Sequence, residues 1–146
     1  MLVSEGPIIV QEKFDSSPEI IWKAITEIDQ MKIWYFDEIK AFKPVVGFET
    51  QFTIEHNGRT YPHTWKILEV IPHEKIVYNW HYPNYPGNSF VTFELFPQNT
   101  QTTLKLTATV TEDFPQNIPE FKRESCVGGW TYFIKESLKK YLEGST

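Results

Sequence analysis

The stretch from Pro119 to Leu142 constrains this chain most, because it reads as one long helix with Gly128-Gly129-Trp130 in its middle. Glycine inside a helix costs about 1 kcal/mol relative to alanine, so two in succession need a reason. Either a second surface approaches the helix closely there, or something occupies the space a side chain would have filled. Several alternating, aromatic-rich strand patterns precede this segment. A sheet gripping a long helix, with glycines on the line of contact, predicts an internal pocket.

The chain has 146 residues, one domain's length, so a single domain over 1–146 is expected. No repeat, low-complexity run or linker divides it. A formal charge of −5, with no basic cluster interleaved with aromatics, argues against nucleic-acid binding. Cys126 is the single cysteine, which excludes an intramolecular disulfide. No run approaches the ~20 apolar residues of a membrane span, and Met1 to Pro7 lacks the features of a signal peptide. A cytoplasmic protein is expected.

Ile8 to Phe14 reads as a first strand. Ser16-Ser17-Pro18-Glu19 opens a helix, since serine can accept from free backbone N–H groups and proline suits the first turn. Ile20, Ile21, Ala24, Ile25 and Ile28 then repeat at helical spacing. A second short helix runs from Asp29-Gln30 to about Trp34. Lys40 to Pro44 is expected as a short edge strand, and Gly47 begins the next, where Phe48, Phe52 and Ile54 alternate with polar residues. His56-Asn57-Gly58-Arg59 is a hairpin turn. In Tyr61 to Ile71 the parity of Tyr61, His63, Trp65 and Ile67 is lost by Val70, which predicts a bulge near Leu68-Glu69. Lys75 to Tyr82 follows, and Pro83 to Asn88 is expected as a mobile rim over a cavity mouth. Phe90 to Phe96 and Thr103 to Val110 form a last hairpin. Hairpins flanked by helices give an α+β class.

This order resembles the helix-grip fold of the START and birch-pollen-allergen superfamily, often called SRPBCC. More narrowly, it resembles the branch related to the C-terminal domain of the heat-shock protein 90 ATPase activator. The residues that carry the resemblance span nearly the whole chain. Phe14-Asp15-Ser16-Ser17-Pro18-Glu19-Ile20-Ile21-Trp22 is similar to the family's opening strand and helix start, and Trp34 to the tryptophan that ends its second helix. Ile67 to Pro72, Val77 to Trp80, Val91 to Leu95 and Thr103 to Thr107 resemble its strand motifs, and Gly129-Trp130 its C-terminal pair, followed here by Leu138 and Leu142. The resemblance implies a curved antiparallel sheet of six to seven strands around a long C-terminal helix, with two short helices after the first strand. It also implies an apolar cavity between sheet and helix. Members bind lipids, hormones or polyketides, act as cyclases, or regulate a chaperone, so fold does not decide among these. A chain of this length leaves no room for the activator's separate chaperone-binding domain, and a chaperone partner is not expected.

Inward parity places Phe48, Phe52, Tyr61, Trp65, Tyr78, Trp80, Tyr82 and Phe93 on one face, with Trp34, Phe36, Gly129, Trp130 and Phe133 closing it from the helix side. His63 shares that parity and is either a polar anchor or a satisfied core histidine. Glu12 shares the parity of Ile8, Val10 and Phe14, so it either enters the apolar space or reaches water at an edge. The alternative reading for Gly129 is that it accommodates Trp80 or Trp65. The four histidines lack metal-ligand spacing, there is no nucleophile elbow or phosphate loop, and Cys126 reads as a small buried hydrophobe. No catalytic residue, metal or cofactor is therefore expected. The leading expectation is binding of an apolar aromatic or acyl small molecule. The alternatives are a cyclase or dehydratase using Glu12 or His63 as base, and a chaperone-regulating module. The sequence marks no clear dimer interface and leaves a homodimer open.

Overall fold

A computed structural model of the chain, describing residues 1–144, builds the expected α+β architecture from six antiparallel strands. They are β1 (Ile8–Phe14), β2 (Glu49–His56), β3 (Arg59–Ile71), β4 (Lys75–His81), β5 (Asn88–Gln98) and β6 (Gln101–Glu112), in the order β1-β6-β5-β4-β3-β2. Strict alternation of buried and half-exposed residues in β5 and β6 gives the sheet one face for the core. The β2–β3 hairpin turns on Asn57 and Gly58, both at positive φ (51° and 77°), which matches the twist of the flanking strands. The predicted bulge is present: the β3–β4 register shifts between Ile67 and Glu69.

Helices α1 (Pro18–Thr26) and α2 (Ile28–Trp34) follow β1. Ser17 Oγ caps α1 by accepting from the Ile20 amide at 3.3 Å, with proline in the first turn. The expected strand at Lys40–Pro44 does not form. Phe42 in that stretch and Ile39 just before it are buried, and their three-residue spacing suits a covering loop rather than alternation. The Phe42 ring lies against Trp65 and Tyr78 (centroids 6.3 and 6.1 Å apart), and β2 is the sheet edge.

The terminal helix also departs from the expected span. Pro119–Phe121 is a 3-10 turn and Lys122 is extended (φ −74°, ψ 149°), so the helix starts with α3 (Arg123–Thr131). It passes through a π-helical segment, Tyr132–Ser137, into α4 (Leu138–Gly144). Trp130, Ile134, Leu138 and Leu142 are its buried residues, spaced four apart throughout. In a regular α-helix each step of four overshoots a turn by about 40°, so such a stripe drifts off the sheet. The wider π turns absorb that drift. These side chains share one core with α1, α2 and the inner face of the sheet. A second, smaller cluster of Tyr61, Val110, Phe114, Ile118 and Phe121 closes the end near the β2–β3 hairpin.

Candidate functional site

The aromatic residues between sheet and helix divide into a filled half and an open half. Tyr35, which parity reasoning missed because it caps α2, is the hub of the filled half. Its ring stacks on Trp34 at 4.6 Å and on Trp65 at 5.4 Å, and its hydroxyl lies 2.9 Å from that of Tyr78. Burial first, then the neighbouring Tyr78, pushes the Tyr35 pKa well above the usual phenol range. Trp34 Nε1 donates to the Ala24 carbonyl at 2.7 Å. Phe93 stacks on Tyr78, Phe52 meets Trp65 edge-on, and Phe48 packs on Phe42. Tyr61 belongs to the second cluster. These expected cavity residues (Trp34, Phe48, Phe52, Tyr61, Trp65, Tyr78 and Phe93) thus pack against one another or form the back wall. Trp65 is fully buried, and its Nε1 has no hydrogen-bond partner among the described residues.

The open half is a partly open pocket of about 150 Å³. From the expected set, Phe36, His63, Trp80 and Tyr82 line it on one side and Gly129, Trp130 and Phe133 on the other. Val91, Phe114, Met1 and Cys126 complete the lining. The missed members carry a readable signal: Val91 and Cys126 are short side chains set among rings, and with Gly129 they leave the volume unfilled. The larger hollow beside Ile33 and Tyr132, about 610 Å³, lies on the outer side of the helix with Glu136 and Lys140 on its wall. It is a surface groove that none of these rings enters.

Neither glycine of the pair is held by a close neighbour. A Cβ placed on Gly128 or Gly129 meets nothing within 4 Å among the described residues, so the close-approach reading, with Trp80 or Trp65 against Gly129, does not hold. Gly129 falls on the helix row that carries Cys126 and Phe133, all three bordering the cavity, and it is itself exposed. The glycine that does take a close approach is Gly87, at φ +113°, where a Cβ would sit 2.5 Å from the Phe114 ring. That contact pins the Pro83–Asn88 loop, as does Tyr85, whose ring stacks on Tyr61 at 5.6 Å and whose hydroxyl donates to the Thr60 carbonyl. The loop is tied down by these contacts rather than left as a free rim.

Glu12 does not enter the cavity. The terminal helix brings Lys139 Nζ to 3.3 Å and Lys135 Nζ to 3.8 Å of its carboxylate, and it remains partly exposed. His63 does enter the site. Its Nδ1 lies 2.8 Å from the Tyr61 carbonyl oxygen, and the ring stacks on Phe52 at 4.8 Å. Burial lowers its pKa to about 4, so the imidazole is neutral at physiological pH. Tyr82 accepts from Trp80 Nε1 at 2.9 Å, and burial raises its pKa strongly. Burial lifts the Cys126 thiol to about 11, and its Sγ points at the Glu120 carbonyl 3.6 Å away, the environment of an unreactive thiol. Glu120 is the polar knot below the site: Asn57, Arg59 and Tyr61 donate to its carboxylate at 3.1, 3.4 and 2.9 Å. Among the described residues no group of three His, Cys, Asp or Glu side chains is placed to hold a metal ion, and no helix is long and apolar enough to cross a membrane.

A helix closing an antiparallel sheet is the setting in which the family comparison is read. The model of the Activator of Hsp90 ATPase homolog 1-like proteins matches residues 15–143. The chain belongs to that family. Solved structures agree with the family in fold. A protein from Mesorhizobium loti is 26% identical, with 96% of this chain and 98% of that one aligned at a TM-score of 0.73. The Aha1 dimer from Colwellia psychrerythraea is 25% identical, covering 94% and 96% of the two chains at 0.71. An HSP90 activator from Plasmodium falciparum is 20% identical, covering 94% and 96% at 0.75, a likeness of fold alone. None of the curated proteins compared matches the chain.

Proposed function

We propose that this Activator of Hsp90 ATPase homolog 1-like domain binds a small apolar molecule between its sheet and its terminal helix. The observation that carries the reading is the cavity of about 150 Å³, left by Val91, Cys126 and Gly129 among otherwise interlocked rings. An apolar cavity of that size is known to accept benzene. Thermal shift with toluene, indole and short-chain acids tests the proposal. A ligand present at a hundred times its dissociation constant adds about 2.7 kcal/mol. Gly129→Leu, which adds a side chain at the pocket's border, should reduce that stabilisation. A protein that no ligand stabilises, and that Gly129→Leu leaves unchanged, contradicts the reading.

Two observations weigh against a cyclase or dehydratase acting through Glu12 or His63. The Glu12 carboxylate is engaged by lysines outside the cavity. The low pKa of His63 makes it a weak base. A second reading, regulation of a chaperone ATPase, is favoured by the family match and by the names of two structural relatives. Its test is the ATPase rate of an Hsp90-type chaperone with and without the protein, an unchanged rate counting against it. The Colwellia relative is a dimer, and a homodimer of this chain would show in its sedimentation coefficient.

A further inference from the structure

Resting on the reading of the cavity as a ligand site, we infer that its ligand is a neutral six-membered ring carrying one hydroxyl group, phenol being the simplest case. That hydroxyl donates to His63 Nε2 and accepts from the Tyr82 hydroxyl.

The inference begins with the direction of one hydrogen bond. The Tyr61 carbonyl oxygen can only accept, so His63 Nδ1, 2.8 Å away, carries the proton. Nε2 is therefore an unprotonated acceptor, and among the described residues nothing donates to it. The ring cannot turn to use Nε2 elsewhere without losing the Tyr61 bond and its stack on Phe52. Beside it stands Tyr82, ring centroids 4.7 Å apart. Its oxygen accepts from Trp80 Nε1 at 2.9 Å, which leaves the hydroxyl proton free to be given. His63, Trp80 and Tyr82 all line the cavity. His63 and Tyr82 thus bring one fixed acceptor and one available donor to the wall of an otherwise apolar space.

The count of polar groups discriminates among occupants. A buried water typically makes about three hydrogen bonds, and only these two partners are free here. A hydrocarbon would leave both unsatisfied, which is unfavourable for buried polar groups. A single hydroxyl uses both. The volume of about 150 Å³ matches one benzene ring and is too small for a fatty acyl chain. A negative charge is disfavoured by the same walls. No lining side chain is a carboxylate, lysine or arginine, and the amino group of Met1 donates to the Phe121 carbonyl. A carboxylate would enter without a side-chain counter-charge and would meet the Nε2 lone pair.

Calorimetric titration at neutral pH with phenol, toluene and benzoate tests this on the native protein and on His63→Phe, which keeps an aromatic ring on Phe52. Phenol is expected to bind about tenfold tighter than toluene, as one extra hydrogen-bonded group predicts, and benzoate more weakly than phenol. His63→Phe should equalise phenol and toluene while toluene still binds. If that variant fails to fold, nitrogen NMR of the native protein decides: the His63 Nε2 resonance moves with phenol and stays with toluene. Equal binding of phenol and toluene, tightest binding of benzoate, or an Nε2 resonance unmoved by bound phenol overturns the inference and leaves the cavity reading standing. If neither phenol nor toluene binds, both fall together.

Discussion

At the scale of single residues, Gly128 and Gly87 separate cleanly by what surrounds them. Gly128 is exposed in mid-helix with open space at its Cβ position. Gly128→Ala is therefore expected to stabilise the protein by about 1 kcal/mol in denaturant unfolding. Gly87→Ala combines a positive φ with a clash against the Phe114 ring, and should destabilise by roughly 2–4 kcal/mol in the same assay. The Gly-Gly pair was legible in the sequence and its reason was not, since composition cannot tell a helix glycine facing solvent from one facing a cavity. The restricting glycine sat in a loop that read as mobile. His63 gives the protein an acid limb. Its pKa falls from 6.5 to about 4 on folding because of burial, so the unfolded chain takes up the proton first. The stability gained by burying the neutral ring is complete above about pH 6.5 and drains away as pH falls toward 4. The loss amounts to about 3 kcal/mol, and His63→Phe should flatten the slope of unfolding free energy over that window. Glu120 acts lower: its own backbone amide, then Asn57 and Tyr61, hold its carboxyl below the usual range. Its contribution is lost only as pH drops through that lowered value.

At the scale of elements, period and parity located almost everything that pairs or packs regularly. The β3 bulge followed from the parity break between Ile67 and Val70, and the hairpin turn from Asn57-Gly58. What parity missed lies where the chain is irregular. Lys40–Pro44 and the residue before it cover the core through Phe42 and Ile39 without pairing, and Tyr35 reaches the centre of the ring cluster from a helix cap. The π segment was present in the four-residue spacing of Trp130, Ile134, Leu138 and Leu142, a spacing that a regular α-helix cannot keep on one side. Glu120 joins two elements distant in sequence, the β2–β3 hairpin and the turn before the terminal helix. Glu120→Ala should lower amide protection at the hairpin tip and around Phe121, measured by hydrogen exchange, and leave β5 and β6 as protected as before. Uniform loss of protection across the sheet would contradict this local role.

At the scale of the whole molecule, the sheet and helix hold a set of rings larger than packing alone requires, yet stop short of filling the space. Parity puts rings on one face of the sheet but cannot tell which interlock and which stand back. That outcome depends on side-chain lengths summed across several elements, with Val91, Cys126 and Gly129 as short residues among the lining rings. Phe36, His63, Trp80, Tyr82, Gly129, Trp130 and Phe133 of the expected set border the space that remains, whereas the rings around Tyr35 pack against one another. The family match fixes the fold and leaves the occupant of the space to experiment. The most direct measurement is a toluene titration followed by NMR of side chains. The account predicts saturable shifts at the Val91 methyl groups and at the Trp80 and Trp130 indoles, with Ile33 in the outer groove unmoved. Unchanged Val91, Trp80 and Trp130 resonances at saturating toluene would contradict it.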